Sequence, residues 1–418
     1  MRIIQKSLCF ICLWALLPVL THAQGNLVIT GGGLENDNHA VFDEFIRLAG
    51  GPDAIISVIP AASGVAAQTM AYFSLGLTYH GVKPENIQLI PIAMVDDDST
   101  LNVNEAEWKA NAWDAELAQK VRLGNGVWFS GGDQLRIMQL MFDPQGKPSP
   151  VMQAVWDVYR RGGVIGGTSA GAAIMTNPMI GGGTSLGALQ YGVKETTIGQ
   201  DNEEFQGVLL SPGIGFFPYG MVDQHFHARA RTGRLAAILA YTGQRFGFGI
   251  DENTALIFYG SENKMMVAGA AGITIFDTEN ALFRKTESFN TFTKLKVHYL
   301  ENGDQFFFDT FQVLPSPEKK PLQPIAQRKP NQTIPGGSFS IEGQSFYELL
   351  TQQLFEEEAT STSSLQFVDS KTAFRLTMSC QPETQLYFYS PKHGKDRFTA
   401  LDLRLDIEAV SVDITPLN

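Results

Sequence analysis

Ser169 lies in Gly167-Thr168-Ser169-Ala170-Gly171, a G-x-S-x-G that follows an apolar run and precedes "AAIM". A nucleophile elbow needs this order of residues. A strand ends, the serine takes a strained turn, and small neighbours let the next helix start close by. The Ala170 amide, one residue on, can then face a developing oxyanion. Two blander readings compete: a glycine pair that serves helix packing, and a loop that cradles phosphate. The second lacks the Gly-Lys-Ser/Thr of a Walker loop.

A serine nucleophile needs a base, and beyond residue 23 the chain has His39, His80, His225, His227, His298 and His393. Two of these sit in "MVDQHFHARARTGRL", with Asp223 and Gln224 just before and Arg229, Arg231 and Arg234 just after. Arg231 and Arg234 are three apart and share a helix face; such pairs suit bidentate capture of substrate carboxylates. A solvated basic face is the plainer alternative. The H-x-H of His225 and His227 also raises a metal site, but no further ligand follows at suitable spacing, so no metal is expected. The orienting acid falls in "GFGIDENTALIFYG", where Asp251 and Glu252 point to opposite sides of a strand. The pattern does not choose between them. "FSGGDQLRIM" adds Gly131 and Gly132 before a helix capped by Asp133. Amides at a helix start are natural oxyanion donors, the Gly132 amide leads into this one, and Gln134 is within reach of a substrate.

These residues need a frame that gathers strand ends. "NLVITGGG", "AIISVIPAAS", "IQLIPIAM", "GVWFSGG" and "GVIGG" read as apolar strands ending in turns, with helical patterns between them. That alternation predicts a mostly parallel, doubly wound α/β sheet with helices on both faces. Ligands of such sheets bind beyond the carboxyl ends of the strands, where the glycine turns lie. After Gly249 the pattern turns to antiparallel-like strands. Residues 315–336 are proline-rich and read as a linker, so 24–314 is expected to be the catalytic domain and 337–418 a small α+β extension. Within that extension Phe346, Leu349, Leu350 and Leu354 recur at helical spacing.

The first 23 residues carry Arg2 and Lys6, then an apolar block from Ser7 to Leu20, too short for a comfortable membrane span, then "THA". They read as a secretory signal cut after Ala23, leaving a secreted protein with no membrane association. Cys9 and Cys12 lie inside it, so the remainder keeps only Cys380 and has no internal disulfide. Of 418 residues 44% are hydrophobic, enough for a sizeable core, and the net charge of −12 without a basic segment argues against nucleic acid.

Taken in order, "FSGGDQ", "GGTSAGA", "DQHFHARARTGRL" and "GIDENTA" resemble the cyanophycinases of serine peptidase family S51, over roughly Asn26 to Thr310. The resemblance implies a fold like class I glutamine amidotransferases, of flavodoxin type. It implies hydrolysis of multi-L-arginyl-poly-L-aspartate to β-Asp-Arg dipeptides, without a cofactor. It puts the triad on Ser169, His225 and Glu252, so choosing Glu252 over Asp251 and His225 over His227. It puts substrate contacts on Gln134, Asp223, Gln224, Arg229, Arg231 and Arg234. The polymer is then the expected partner, with a homodimer the one assembly left open. Three features depart from the shorter members: the signal, the longer segment 177–207, and the tail. An α-aspartyl dipeptidase of the same family, a secreted esterase, and a non-catalytic polymer-binding protein are the alternatives. The order Ser–His–Glu speaks against an ordinary α/β-hydrolase, whose acid precedes its histidine.

Overall fold

A computed structural model describes residues 25–200, 204–286, 288–322, 337, 339, 346–356 and 358–413. The expected signal, 1–23, and most of the expected linker, 323–336, lie outside the described residues. No helix among the described residues is long and apolar enough to cross a membrane.

The apolar runs form strands β1 (Asn26–Thr30), β2 (Ile56–Ile59), β3 (Ile87–Leu89), β4 (Gly126–Phe129) and β5 (Val164–Thr168). All five pair in parallel, in the spatial order β3-β2-β4-β5-β1. Side chains alternate between faces, so Leu27 and Ile29 join one core and Val28 another. The first face is covered by α3 (Ala115–Leu123), α4 (Gln134–Met141) and α5 (Pro150–Arg160); the second by α1 (His39–Ala49) and α2 (Ala66–Tyr79). The sheet is therefore doubly wound, as the alternating pattern predicts. The helix ends follow local chemistry. The side chains of Asn38, Asp114, Asp133 and Ser149 accept from first-turn amides of α1, α3, α4 and α5. The predicted strand over "IQLIPIAM" is shorter than expected, because only Ile87–Leu89 finds a ladder partner at the sheet edge.

Beyond β5 the chain forms the short α6 (Ala170–Ala173) and a small sheet of β6 (Met179–Gly182), β7 (Val193–Glu195) and β8 (Val208–Ser211), with α7 (Ser185–Tyr191) between β6 and β7. A second large sheet starts at β9 (Met221–Asp223), which leads through α8 (Thr232–Thr242) to its parallel neighbour β10 (Phe246–Ile250). Three residues later β11 (Thr254–Tyr259) crosses to the first sheet, pairing antiparallel with β1. β12 (Lys264–Gly269) stays there, and β13 (Gly272–Asp277) returns to the second sheet beside β10.

The expected boundary at residue 314 does not separate two bodies. The tail strand Arg397–Ser411 extends the second sheet by pairing onto Asn290–Glu301, and Thr372–Tyr389 pairs in turn onto Arg397–Ser411. Phe346, Leu349, Leu350 and Leu354 are buried in the same core as Phe226, Leu235 and Tyr299. The start of the expected linker is also fixed: Lys320 and Pro321 pair with Phe388 and Tyr387. Lys319 is buried and donates to Asp304 at 2.7 Å, to the Phe398 carbonyl at 2.9 Å and to Thr399 at 2.7 Å. Proline-rich composition marked a break in regular structure but carried no information about these long-range partners.

Removing one member of a buried ion pair leaves the other charge uncompensated, at a cost of about 3–5 kcal/mol. Lys319→Met is therefore expected to lower the unfolding free energy by roughly that amount in chemical denaturation. A change within about 0.5 kcal/mol, the usual effect of a surface substitution, would contradict the buried pairing.

Candidate active site

β1, β4 and β5 run parallel and adjacent, so their carboxyl ends bring three glycine-rich turns together: Gly31–Gly33, Gly131–Gly132 and the turn at Ser169. Ser169 has φ 53° and ψ −107°, a backbone that L-residues rarely adopt. Its glycines are required by contact. A Cβ on Gly167 would lie 2.3 Å from the Gly171 carbonyl oxygen, and one on Gly171 would lie 2.4 Å from that of Phe129. α6 starts at Ala170, whose amide has no intrahelical partner. Gly132, at φ 135°, fits against the backbone of Ala62.

The other two side chains come from the second sheet. β9 and β10 are parallel, with Asp223 opposite Gly249, so the residues just past their ends are side by side. Past β9 stands His225; past β10 stands Glu252. His225 Nε2 lies 2.8 Å from Ser169 Oγ, and His225 Nδ1 lies 2.5 Å from Glu252 Oε1. With the carboxylate accepting from Nδ1–H, Nε2 is left to accept the serine proton, a tautomer inferred from the network. Burial lowers the pKa of His225; Arg229 and Arg231 add to this, while Glu252 opposes it. The net shift is below 6.5, so the imidazole is neutral and basic at neutral pH.

His227 faces the other way. Its Nδ1 is 2.8 Å from Asp251 and its Nε2 is 3.1 Å from Thr274. The two histidines and the two acids of the sequence pattern thus separate into two pairs: the adjacent acids point to opposite sides, and the positive φ of His225, 48°, takes it off the face it would otherwise share with His227. Every ring nitrogen of His225 and His227 has a protein partner, and the two rings meet different carboxylates.

The expected substrate-contact residues are mostly engaged with one another. Asp223 is fully buried and receives the Arg234 guanidinium, with Nε at 2.8 Å, while Arg231 approaches it at 3.4 Å. Arg231 also donates to the side chain and carbonyl of Gln224. A carboxylate this deep costs several kcal/mol if unpaired, so pairing outweighs availability to a ligand. Arg231 and Arg234, expected to clamp a substrate carboxylate, and Asp223, expected to accept a guanidinium, are thus engaged with one another within the protein. Burial and Arg234 bring the Arg231 pKa down to about 9, which leaves it a cation at neutral pH. Gln134 Nε2 donates to the carbonyls of Ile180 and Gly181, tying β6 to α4. Arg229 is exposed and, among the described residues, forms no ion pair.

Beside Ser169 opens a cleft of about 690 Å³, whose lining includes Glu35, Gln68, Tyr72, Gly132 and Ser169. Gly31–Gly33 were missed as site residues, although three glycines after an apolar strand carry the same signal as the other two turns. The Gly31 carbonyl accepts from the His225 amide at 2.7 Å, and a Cβ on Gly32 would lie 2.1 Å from the His225 ring.

An elbow serine beside a histidine–carboxylate pair, at the carboxyl edge of a doubly wound sheet, is the arrangement of a triad hydrolase. Residues 27–266 match Peptidase family S51, and the chain belongs to that family. Relatives include the cyanophycinase of Geminocystis herdmanii, 30% identical over 295 residues, 69% of this chain and 95% of that protein. The cyanophycinase of Synechococcus elongatus is 29% identical over 296 residues, 69% of this chain and 80% of that protein. That of Trichormus variabilis is 30% identical over 297 residues, 69% of this chain and 88% of that protein. A solved peptidase from an acI-B1 Actinobacterium aligns with a TM-score of 0.48 and 18% identity, covering 68% of this chain and 98% of that one.

Gly32→Ala is expected to leave a folded protein but push the imidazole off Ser169, lowering kcat by about 10²-fold or more. Circular dichroism beside steady-state kinetics checks it. Unchanged kcat in a folded variant would show that the Gly32–His225 contact does not position the base.

Proposed function

We propose that this chain is a secreted cyanophycinase that cleaves the polymer through an acyl-enzyme on Ser169. The observation that carries the reading is the unbroken hydrogen-bonded chain Ser169–His225–Glu252 opening on a cleft, in a member of a peptidase family. His225 Nε2 takes the serine proton as Oγ attacks a peptide carbonyl of the poly-aspartate backbone. The negative charge that forms on oxygen is held by the amides of Ala170 and Gly132. The imidazolium, steadied by Glu252, then gives its proton to the departing amine. Water, deprotonated by His225, releases the acyl group, and the proton returns to Ser169. The products are β-Asp-Arg dipeptides.

The cleft and the segment after His225 carry partners for both kinds of charge on this substrate. Glu35, exposed on its wall, suits arginyl side chains, and Arg229, near His225, suits carboxylates. Secretion rests on the character of residues 1–23 and would give the enzyme access to polymer released by other cells.

Purified protein offered cyanophycin and, separately, small aspartyl dipeptides tests the substrate. Release of β-Asp-Arg from polymer with dipeptides untouched is the expected result, and the reverse would assign it as an aspartyl dipeptidase. Ser169→Ala should abolish cleavage while polymer binding persists; retained turnover would remove Ser169 as nucleophile.

The acid limb of kcat/KM should have its midpoint below 6.5, because the depressed His225 pKa keeps the base neutral to lower pH. Arg229→Gln removes one of the charges that depress it, so the limb should move to higher pH. A pH profile of both proteins measures this, and a shift in the opposite direction would contradict the assignment of the base.

A further inference from the structure

At the first turn of α1, His39 and Asp43 are four residues apart and face the end of α2, where His80 stands. His39 Nδ1 is 3.1 Å from Asp43 Oδ2, and His80 Nδ1 is 2.6 Å from Asp43 Oδ1. Donor atoms of all three lie within 4.8 Å of one another. We propose that His39, Asp43 and His80 form a binding site for a borderline divalent transition-metal ion such as zinc, separate from the catalytic serine.

Two imidazoles and one carboxylate are a donor set that such an ion prefers over magnesium or calcium, which favour all-oxygen shells. The second observation concerns how His80 is held. Its side chain is fully buried, and its Nε2 lies 2.8 Å from the Asn36 carbonyl, to which it donates. Metal-binding histidines characteristically give their far N–H to a carbonyl, which fixes the tautomer and leaves the near nitrogen's lone pair for the ion. The ring is also oriented by stacking on Phe42, with centroids 4.9 Å apart and planes 9° from parallel. His39 and Asp43 are 65% and 56% exposed, so they can adjust and water can complete the shell. Tetrahedral zinc with bonds of about 2.0–2.2 Å sets its donors roughly 3.3 Å apart. The His39–Asp43 distance is close to this already, and the His80–Asp43 contact must open by somewhat more than half an ångström. Any proton held between His80 and Asp43 leaves to solvent as the metal enters.

The site would tether a wall of the active-site cleft. Asn36, bonded to His80, belongs to the loop that follows Gly33, and Leu34 and Glu35 of that loop line the cleft. Asn38, in the same loop, donates to the side chain of Asn253 at 2.7 Å, next to Glu252. An ion joining α1 to the end of α2 therefore fixes the segment between the cleft and the catalytic carboxylate.

The untagged full chain, stripped with chelator, should be dialysed against zinc chloride and its metal content measured, beside His39→Ala and Asp43→Asn. Both changes are at exposed positions, and circular dichroism checks that the variants fold. About one zinc per wild-type chain is expected by the three-donor geometry, with affinity at least about 10-fold weaker in each variant. Added zinc should raise the thermal midpoint of the wild type and shift the variants less. Zinc binding at background level in the wild type, or equal binding in wild type and both variants, would overturn the proposal. Neither readout depends on turnover, so the result stands apart from the assignment of the substrate.

Discussion

The hydrogen bond from the His225 amide to the Gly31 carbonyl, 2.7 Å long, is the contact on which the site depends. The serine belongs to one sheet, and the histidine and carboxylate follow strands of another. Their relative placement is fixed where the end of β1 meets the residues after β9 and β10. Asn253 donates to Gly32 at 2.8 Å, and Gly31 donates to Thr254 at 2.9 Å, so Gly31 and Gly32 also hold the turn that carries Glu252. Only residues without a Cβ permit this approach, because the imidazole occupies the space a side chain on Gly32 would need.

Behind this contact the buried charges are organised in closed groups. Asp223 is neutralised by Arg234 and Arg231, which braces the end of β9 two residues before His225. Asp251 holds both the amide and the ring of His227, at 3.0 and 2.8 Å, bracing the residues between the two catalytic positions. The tail reaches the same place: Phe346 stacks on His227 with centroids 5.6 Å apart and planes 14° from parallel. The described residues after 337 therefore back the second sheet behind the His225–Glu252 pair. The Glu252 side chain is 46% exposed, whereas the deeper Asp251 is 7% exposed and paired with His227.

Much of the site was legible because it consists of strand ends marked by glycine. The G-x-S-x-G, the Gly-Gly before Asp133 and the acid pair after "GFGI" each punctuate an apolar run, and in a parallel sheet such punctuation falls on one edge. Gly31–Gly33 carried the same mark, yet nothing local showed that they face a histidine nearly two hundred residues away. The partners of the arginines were hidden for a related reason. Their spacing correctly put Arg231 and Arg234 near one another, but whether a cation faces a ligand or a buried aspartate depends on the depth of Asp223. The tail was taken as separate because its composition changes at Pro315, while strand pairing to Asn290–Glu301 has no local signature.

By itself the sequence determined the alternation of strands and helices, hence the doubly wound sheet, and the strained serine turn, because periodicity and glycine placement are local properties of the chain. It also limited the base and acid to two candidates each. Residue spacing left both pairs open, the family resemblance chose His225 and Glu252, and the tertiary structure brings those two to Ser169. The adjacent acids project to opposite sides, His225 leaves its strand with a positive φ, and only the packing of one sheet edge against the other defines which side holds the serine. The same packing consigned Asp223, Arg231 and Arg234 to the interior and joined the tail to the second sheet, since desolvation and ladder pairing act between residues far apart in the chain.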